Sequence, residues 1–382
     1  MTETLQAAAE VQVPAARRDA RTRSFAVADF PEITGREEEW RFTPVRKLAG
    51  LFADAPTGGH LKFTESLPEG VTKETITLDQ ARELGIMEPE DRPAAIAAAH
   101  AGGVLHYHVP ANTELTEPLI VHADGQGETV HGHVLLTVGE NSTATIIVQH
   151  EGEAEYSELV STVIGDGARV TYVGLQLWGD KAVHLGQNDT IIGKDAYYKH
   201  ILITLGGDVV RLNSNVRYSG PGGEAKMLGL YFADAGQHLE HRTYVDHNTP
   251  KAVSDVLYKG ALQGQDAHSV WIGDVLIRPE ALGIDTYEMN RNLVLSEGAR
   301  ADSVPNLEIE TGDIEGAGHA SSTGRFDEEH LFYLMSRGIP ETVARRLVVR
   351  GFFNEVIQQI KVPAIEELLT AKIEDELSRS MM

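Results

Sequence analysis

Residues 165–178 read GDGARVTYVGLQLW. A glycine, two turn-forming residues and an alanine lead into a β-branched and aromatic run with period-two alternation, as expected of a strand reached through a tight corner. The same lead-in, Gly-x-x-Ala/Ser, recurs at Gly139 and Ser142, Gly193 and Ala196, Gly222 and Ala225, and Gly264 and Ala267; Ser296 and Ala299 form a variant with serine in the glycine place. Strand-like runs accompany these corners: VLHYHVP (104–110), TATIIVQ (143–149), YYKHILITLGG (197–207), AKMLGLYFA (225–233) and HSVWIGDVLI (268–277). Copies roughly 26 to 42 residues apart fit a repeat better than a sandwich. The physical reading is a coil of strands, a β-solenoid, in which a small residue turns inward at each corner while β-branched residues stack. A series of ordinary hairpin turns is the alternative, since Gly and Ala are common.

The flanks have a different texture. Between residues 26 and 103 the chain is mixed and helix-leaning. GREEEWRFTPVRKLAGLF (35–52) has an acidic first turn and Trp40, Phe42, Leu48 and Leu51 as apolar anchors. LDQARELGIM (78–87) and DRPAAIAAAHAGG (91–103) are short helical patterns, the second ended by Gly102 and Gly103. Beyond Gly324, Asp327 is a good N-cap for EEHLFYLMSR (328–337), and Gly338 suits its C-terminus. Pro340 opens the next helix, with Gly351 as its expected stop, and Pro363 marks the last break. The expected organisation is a mobile leader over 1–25, an N-terminal helical and mixed region over 26–103, a β-helix core over 104–324 and a C-terminal helical module over 325–382. That module is too small for a large core of its own and is expected to pack on the solenoid or on a partner.

Composition narrows the function. The 382 residues carry 33 Lys+Arg against 57 Asp+Glu, a net charge of −24, which argues against nucleic-acid binding. No apolar run is long enough to span a membrane, and residues 1–25 lack the apolar core of a signal peptide, so a cytoplasmic protein is expected. There is no cysteine, which excludes disulfides, thiolate catalysis and thiolate metal ligands from this chain.

Neither a P-loop, a Gly-x-Ser-x-Gly elbow nor a His-Glu-x-x-His motif is present, so no ATP site of the P-loop kind is expected here. Asp285, Glu288, Asp302 and Glu308 are scattered acids with no pairing visible in sequence. His106 with His108, and His131 with His133, each put two imidazoles on one strand face, and outward-facing polar residues account for both pairs. In QHLEHRTYVDHN (237–248), a helical turn would bring His238 and His241 together, with His247 further along. His319 differs: Gly316, Ala317, Gly318 and Ala320 give it no bulk to hide behind, so it is either exposed or set against another chain.

Three longer segments carry a resemblance. VDHNTPKAVSDVLYKGALQGQDAHSVWIGDVLI (245–277), NRNLVLSEGARADSVPNLEIETGDI (290–314) and GHASSTGRFDEEHLFYLMSRGIPETVARRLVVRGFFNEVI (318–357) resemble the SufB/SufD family of iron–sulfur cluster assembly proteins. His247, Pro250, Ser254, Lys259, Gly260, Pro305, Leu307, Glu308, Ile309, Leu331, Phe332, Tyr333, Ser336, Arg337 and Gly338 carry it, and EEEWRFTPVRKL (37–48) resembles the family's N-terminal signature. The lack of cysteine resembles the SufD branch rather than SufB. Many relatives read Cys-Ser-His-Gly-Ala-Thr where this chain has Ala317, Gly318, His319, Ala320, Ser321 and Ser322, so the histidine is kept and the cysteine is not. Ile284 and Glu288 likewise depart from a common Thr and Gln.

The resemblance implies a right-handed parallel β-helix flanked by helical regions, in a non-catalytic scaffold subunit. It implies SufB as a partner through the β-helices and the ATPase SufC as a partner through the C-terminal helices, with a sulfur-donor system acting indirectly and a homodimer when the chain is alone. Iron or a nascent cluster shared with SufB would sit at His319, and reduced flavin is a further co-reactant implied for the complex. Phe332, Tyr333, Arg337, Arg345, Phe352 and Phe353 would lie on the SufC side, and Leu307 and Ile309 on the SufB side. The competing readings are a β-helix enzyme acting on carbohydrate and a metal-free homodimeric interaction protein.

Overall fold

The computed structural model describes residues 21–325 and 328–379. Its sixteen strands form one continuous sheet. In chain order they are β1 (Lys62–Ser66), β2 (Thr72–Ile76), β3 (Val104–Val109), β4 (Leu119–Val138), β5 (Thr143–Ile164), β6 (Arg169–Trp178), β7 (Val183–Ile192) and β8 (Tyr197–Thr204). There follow β9 (Val209–Tyr218), β10 (Glu224–Ala233), β11 (His238–His247), β12 (Val253–Leu262), β13 (His268–Ile277), β14 (Ile284–Val294), β15 (Arg300–Ile309) and β16 (Ile314–Arg325).

The sheet is a parallel β-solenoid because β5 bends. Its first half pairs with β6 and its second half with β7. Gly152 makes the bend at φ +79°, where a side chain would meet the Gly125 carbonyl oxygen at 2.1 Å. From there the even strands β6 to β16 stack as one wall and the odd strands β7 to β15 as the other. Even strands start at Arg169, Tyr197, Glu224, Val253, Ile284 and Ile314, which gives one turn per 27–31 residues.

Small residues do turn inward at the corners: Ser142, Ala168, Ala196, Ala225 and Ala267 are all buried. Ala182, after Gly179, does the same, and Ala252 and Ala281 do so without the glycine lead-in. The 42-residue gap between Gly222 and Gly264 arises because Ala225 lies at the start of an even strand and Ala267 just before an odd one.

Period-two alternation is blurred where both faces are covered, as parallel sheets require. On β6, Tyr172 points into the solenoid while Val173, Leu175 and Leu177 point out into a second core. That outer core is closed by α4 (Glu341–Ile357) and α5 (Pro363–Arg379), through Val349, Phe353, Val356, Ile357, Ile365, Leu369, Ile373 and Leu377. The helical module thus packs on the even wall. Polar side chains pin it: Lys199 Nζ donates to the Gln359 carbonyl at 3.0 Å, Lys259 Nζ to the Phe352 carbonyl at 3.0 Å, and Gln263 Nε2 to the Glu376 carbonyl at 3.0 Å. α4 runs through Gly351 instead of stopping there, because Phe353, Val356 and Ile357 beyond it are buried against the wall. The Asp327 cap lies outside the described residues.

The N-terminal region covers the odd wall. The segment read as a helix from its acidic turn forms short 3₁₀ turns at Glu38–Trp40 and Val45–Leu51, and its anchors Trp40, Leu48 and Leu51 are buried on Val183, Leu185 and Val209. The two expected helices are α1 (Leu78–Glu83) and α2 (Arg92–His100). Residues 1–20 of the expected leader lie outside the described residues; just after them, Arg21 pairs with Asp274 at 2.6 Å and Arg23 with Glu90 at 2.8 Å. Among the described residues, no helix is long and apolar enough to cross a membrane.

Inside the solenoid, rings stack along the axis. Tyr172 lies on His200 with centroids 5.2 Å apart, Tyr231 on His241 at 4.9 Å and Tyr218 on His247 at 5.3 Å. Glycine makes room for the largest rings. Gly260 faces Tyr231 and Gly229 faces Tyr258, and a Cβ at either would come within 2.0 Å of ring carbon. Gly260→Ala is therefore expected to lower stability by about 1–3 kcal/mol in chemical denaturation. The buried imidazoles set the acid limit. Burial pushes His200, His241 and His247 down to about 3 and His133 to about 4. Unfolded rings take up protons below roughly pH 6.5. Their contribution is thus full above that value and lost as pH falls toward 3–4, on the order of 2 kcal/mol per ring at pH 5. The thermal midpoint should drop steeply between pH 7 and pH 5; a flat profile would contradict neutral burial.

Candidate functional site

The solenoid ends asymmetrically. At its N-terminal end, β1 pairs antiparallel with β4 and β2 antiparallel with β3. At its C-terminal end, β15 and β16 are the last strands of the two walls. β16 pairs with β14 in parallel, placing His319 opposite Glu288, Ser321 opposite Asn290 and Thr323 opposite Asn292. Glu288, Asn290 and Asn292 are buried in the interior. Side chains in register share a face, so His319 stands over the mouth of the solenoid, and it is exposed there.

Beneath this last turn lies a hydrogen-bonded polar layer. Asn290 Nδ2 donates to Tyr231 Oη at 2.9 Å, Tyr231 Oη donates to Asn292 Oδ1 at 2.7 Å, and Ser303 Oγ donates to Asn290 Oδ1 at 2.6 Å. Glu288 Oε1 accepts the Asn306 backbone N–H at 3.1 Å. The bareness around His319 also has a local cause. A Cβ on Gly318 would lie 3.0 Å from the Tyr287 ring, and one on Gly316 3.2 Å from Asp285 Oδ1.

Leu307 and Ile309 reach the same mouth from the other wall, opposite the core residues Val275 and Ile277. Leu307 is half-buried, and Ile309 is 44% exposed. The last turn therefore brings together His319, Leu307 and Ile309. Among the described residues, no group of three or more His, Asp or Glu side chains could hold a metal ion. A metal at His319 would need ligands from outside the described residues.

The residues expected to face SufC divide. Phe332 (73% exposed) and Tyr333 (56%) stand out from α3 (Glu328–Ser336), and Met335, Val343 and Leu347 extend the apolar surface. Arg337 Nη2 donates to Tyr333 Oη at 3.2 Å, and Arg345 Nε to Glu341 Oε1 at 3.0 Å. Phe352 is half-buried under Lys259, whose Nζ lies 4.7 Å from the ring centre. Phe353 offers no surface: it is fully buried with its ring centre 6.2 Å from that of Phe232, on the joint between helix and solenoid.

The histidine pairs are more enclosed than outward-facing polar residues would be. His106 is buried, 2.8 Å from Thr137 Oγ1 and 3.2 Å from Glu74 on β2. His131 and His133 are buried as well. His238 and His241 are on strand β11, not a helical turn, and so face opposite sides; His241 Nε2 meets Thr204 Oγ1 in the interior at 2.9 Å. One interior cluster was invisible in sequence. Glu158 Oε2 lies 3.3 Å from His150 Nε2 and 3.6 Å from His184 Nε2, and Tyr156 donates to Oε1 at 3.2 Å. Burial opposes its ionisation, but the two imidazoles prevail and hold it well below the usual carboxylate range. Its members come from successive turns, so only the length of the turn would reveal them.

Residues 120–352 match the family model described as SUF system FeS cluster assembly, SufBD core domain. An iron–sulfur cluster assembly SufBD family protein of Mycobacterium tuberculosis is 51% identical over 365 residues, covering 93% of this chain and 91% of that one. The iron–sulfur cluster assembly protein SufD of Bacillus subtilis is 28% identical over 83% of this chain and 77% of its own length. SufD of Escherichia coli is 25% identical over 72% and 67%. This chain, with its parallel solenoid, belongs to the SufBD family of the SUF iron–sulfur cluster assembly system.

Proposed function

We propose that the chain acts as a SufD-type subunit: a non-catalytic scaffold that docks on SufB through the open end of its solenoid and on the ATPase SufC through its C-terminal helices, in the cytoplasm. The observation that carries this reading is the last turn. Two strand edges with no partner among the described residues, those of β15 and β16, end together beside the exposed His319 and the apolar Leu307 and Ile309. Such edges are templates for pairing with another chain. Neutral imidazole is a competent ligand for iron. With no cysteine here, thiolate or sulfide ligands to a nascent cluster would come from the partner or the sulfur donor. The cluster, or its iron, is cargo shared across that joint.

The second half of the reading rests on α3 and α4. Phe332, Tyr333, Val343 and Leu347 offer an apolar surface, while Phe353 and Lys259 fasten α4 to the even wall. A push on the exposed face would be passed to the solenoid through that joint. Reduced flavin, implied by the family, has no residues assigned to it in this chain.

The test is anaerobic co-expression of the tagged chain with SufB and SufC, counting protein, iron and sulfide in the purified complex. His319→Ala should leave the complex assembled and reduce iron and sulfide several-fold. Equal iron in both would remove His319 from the site. A chain that purifies alone as a homodimer would overturn the scaffold reading.

A further inference from the structure

On the outer face of the odd wall, His238, His268 and Arg300 occupy the same position in β11, β13 and β15. Nδ1 of His238 lies 3.1 Å from Nδ1 of His268. The other ring nitrogens face carboxylates: His238 Nε2 is 3.2 Å from Glu240 Oε2, and His268 Nε2 is 2.7 Å from Asp302 Oδ2. Both acids are paired with guanidinium groups as carboxylates: Glu240 with Arg211 and Arg242, and Asp302 with Arg300.

A carboxylate only accepts, so each Nε2 carries its ring's hydrogen. In a neutral imidazole that leaves Nδ1 as a bare lone pair. Two lone pairs 3.1 Å apart are repulsive unless a cation, either a proton or a metal ion, lies between them.

The ring geometry separates these two choices. The centroids stand 4.8 Å apart with planes at 71°. A straight N–H···N bond of this length would hold them roughly 5.4 Å apart. Rings converging on one ion about 2.0–2.1 Å from each Nδ1 would stand roughly 4.8 Å apart, with an N–ion–N angle of roughly 100°.

We propose that His238 and His268 form a binding site for a divalent first-row transition cation, held through both Nδ1 atoms, with Glu240 and Asp302 fixing the rings from behind. Carboxylates behind metal-bound imidazoles fix the tautomer and raise ligand basicity in the same way. Charge around the site is balanced: Arg211, Arg242 and Arg300 are matched by Asp91, Glu240 and Asp302. The His268 and Asp302 side chains are each 21% exposed, so water can reach the ion and complete its coordination. Binding displaces the one proton that the pair otherwise shares. The choice of ferrous iron as the physiological ion rests on the assembly function proposed above; the site itself does not. Asp302 lies on β15, so such an ion would sit beside the open end where cargo is proposed to be held.

The full chain alone, without partners, should be titrated anaerobically with Co²⁺, reading its visible absorption and the protons released, and then with Fe²⁺ in competition. Wild type should bind one equivalent more than His268→Ala and release about one proton with it. Asp302→Asn, which keeps both ligands, should bind about 10–100-fold more weakly. Circular dichroism checks that each variant is folded, and His238→Gln serves as the second ligand variant if His268→Ala is not. Equal binding by wild type and a folded ligand variant, or no binding by wild type, would overturn the proposal and leave the pair sharing a proton. Because SufB and SufC are absent, this result is independent of the scaffold reading.

Discussion

A parallel ladder of strands must end, and how it ends decides what the rest of this molecule can do. Each inner strand satisfies its backbone on both sides, so among the described residues the edges lie at the first and last turns. The chain closes the first turn with two antiparallel strands, β1 and β2. It leaves the last turn open on both walls, at β15 and β16. Residues that would make poor core are gathered there: the exposed His319, the half-covered Leu307 and a layer of asparagines already bonded among themselves.

Burial on both sides of the even wall is the complementary constraint. Val173, Ile201, Leu228 and Leu230 face outward and need a cover. The C-terminal helices supply it, which makes them part of the solenoid's stability rather than an appendage. Lys199 and Lys259 give up water to hold backbone carbonyls of the helical module, and a buried cation of this kind persists only when it is well hydrogen-bonded. The exposed aromatic face of α3 is thereby attached to the strands that end at the open mouth.

Much of this was legible in the sequence. The Gly-x-x-Ala lead-ins marked real corners, since a tight inward turn admits only a small side chain. The family segments lie over the turns nearest the open end, where the motif residues Leu307 and Lys259 have specific neighbours. Contacts between turns were illegible. His238 and His241 looked like partners because they are close in sequence, whereas His238 meets His268, one turn away. Helix boundaries failed where tertiary burial overrode a local signal, as at Gly351. The 3₁₀ turns around Trp40 are set by how Trp40 and Leu51 fit the odd wall, not by helical spacing.

The most direct test of the open end as a joint is backbone hydrogen exchange on this chain, free and in complex with SufB. The amides of β15 and β16 that point away from β13 and β14 should exchange quickly in the free chain and become strongly protected in the complex, while β1 and β2 at the closed end stay unchanged. Protection confined to the helical module or to the closed end, with those amides of β15 and β16 still exchanging freely, would contradict it.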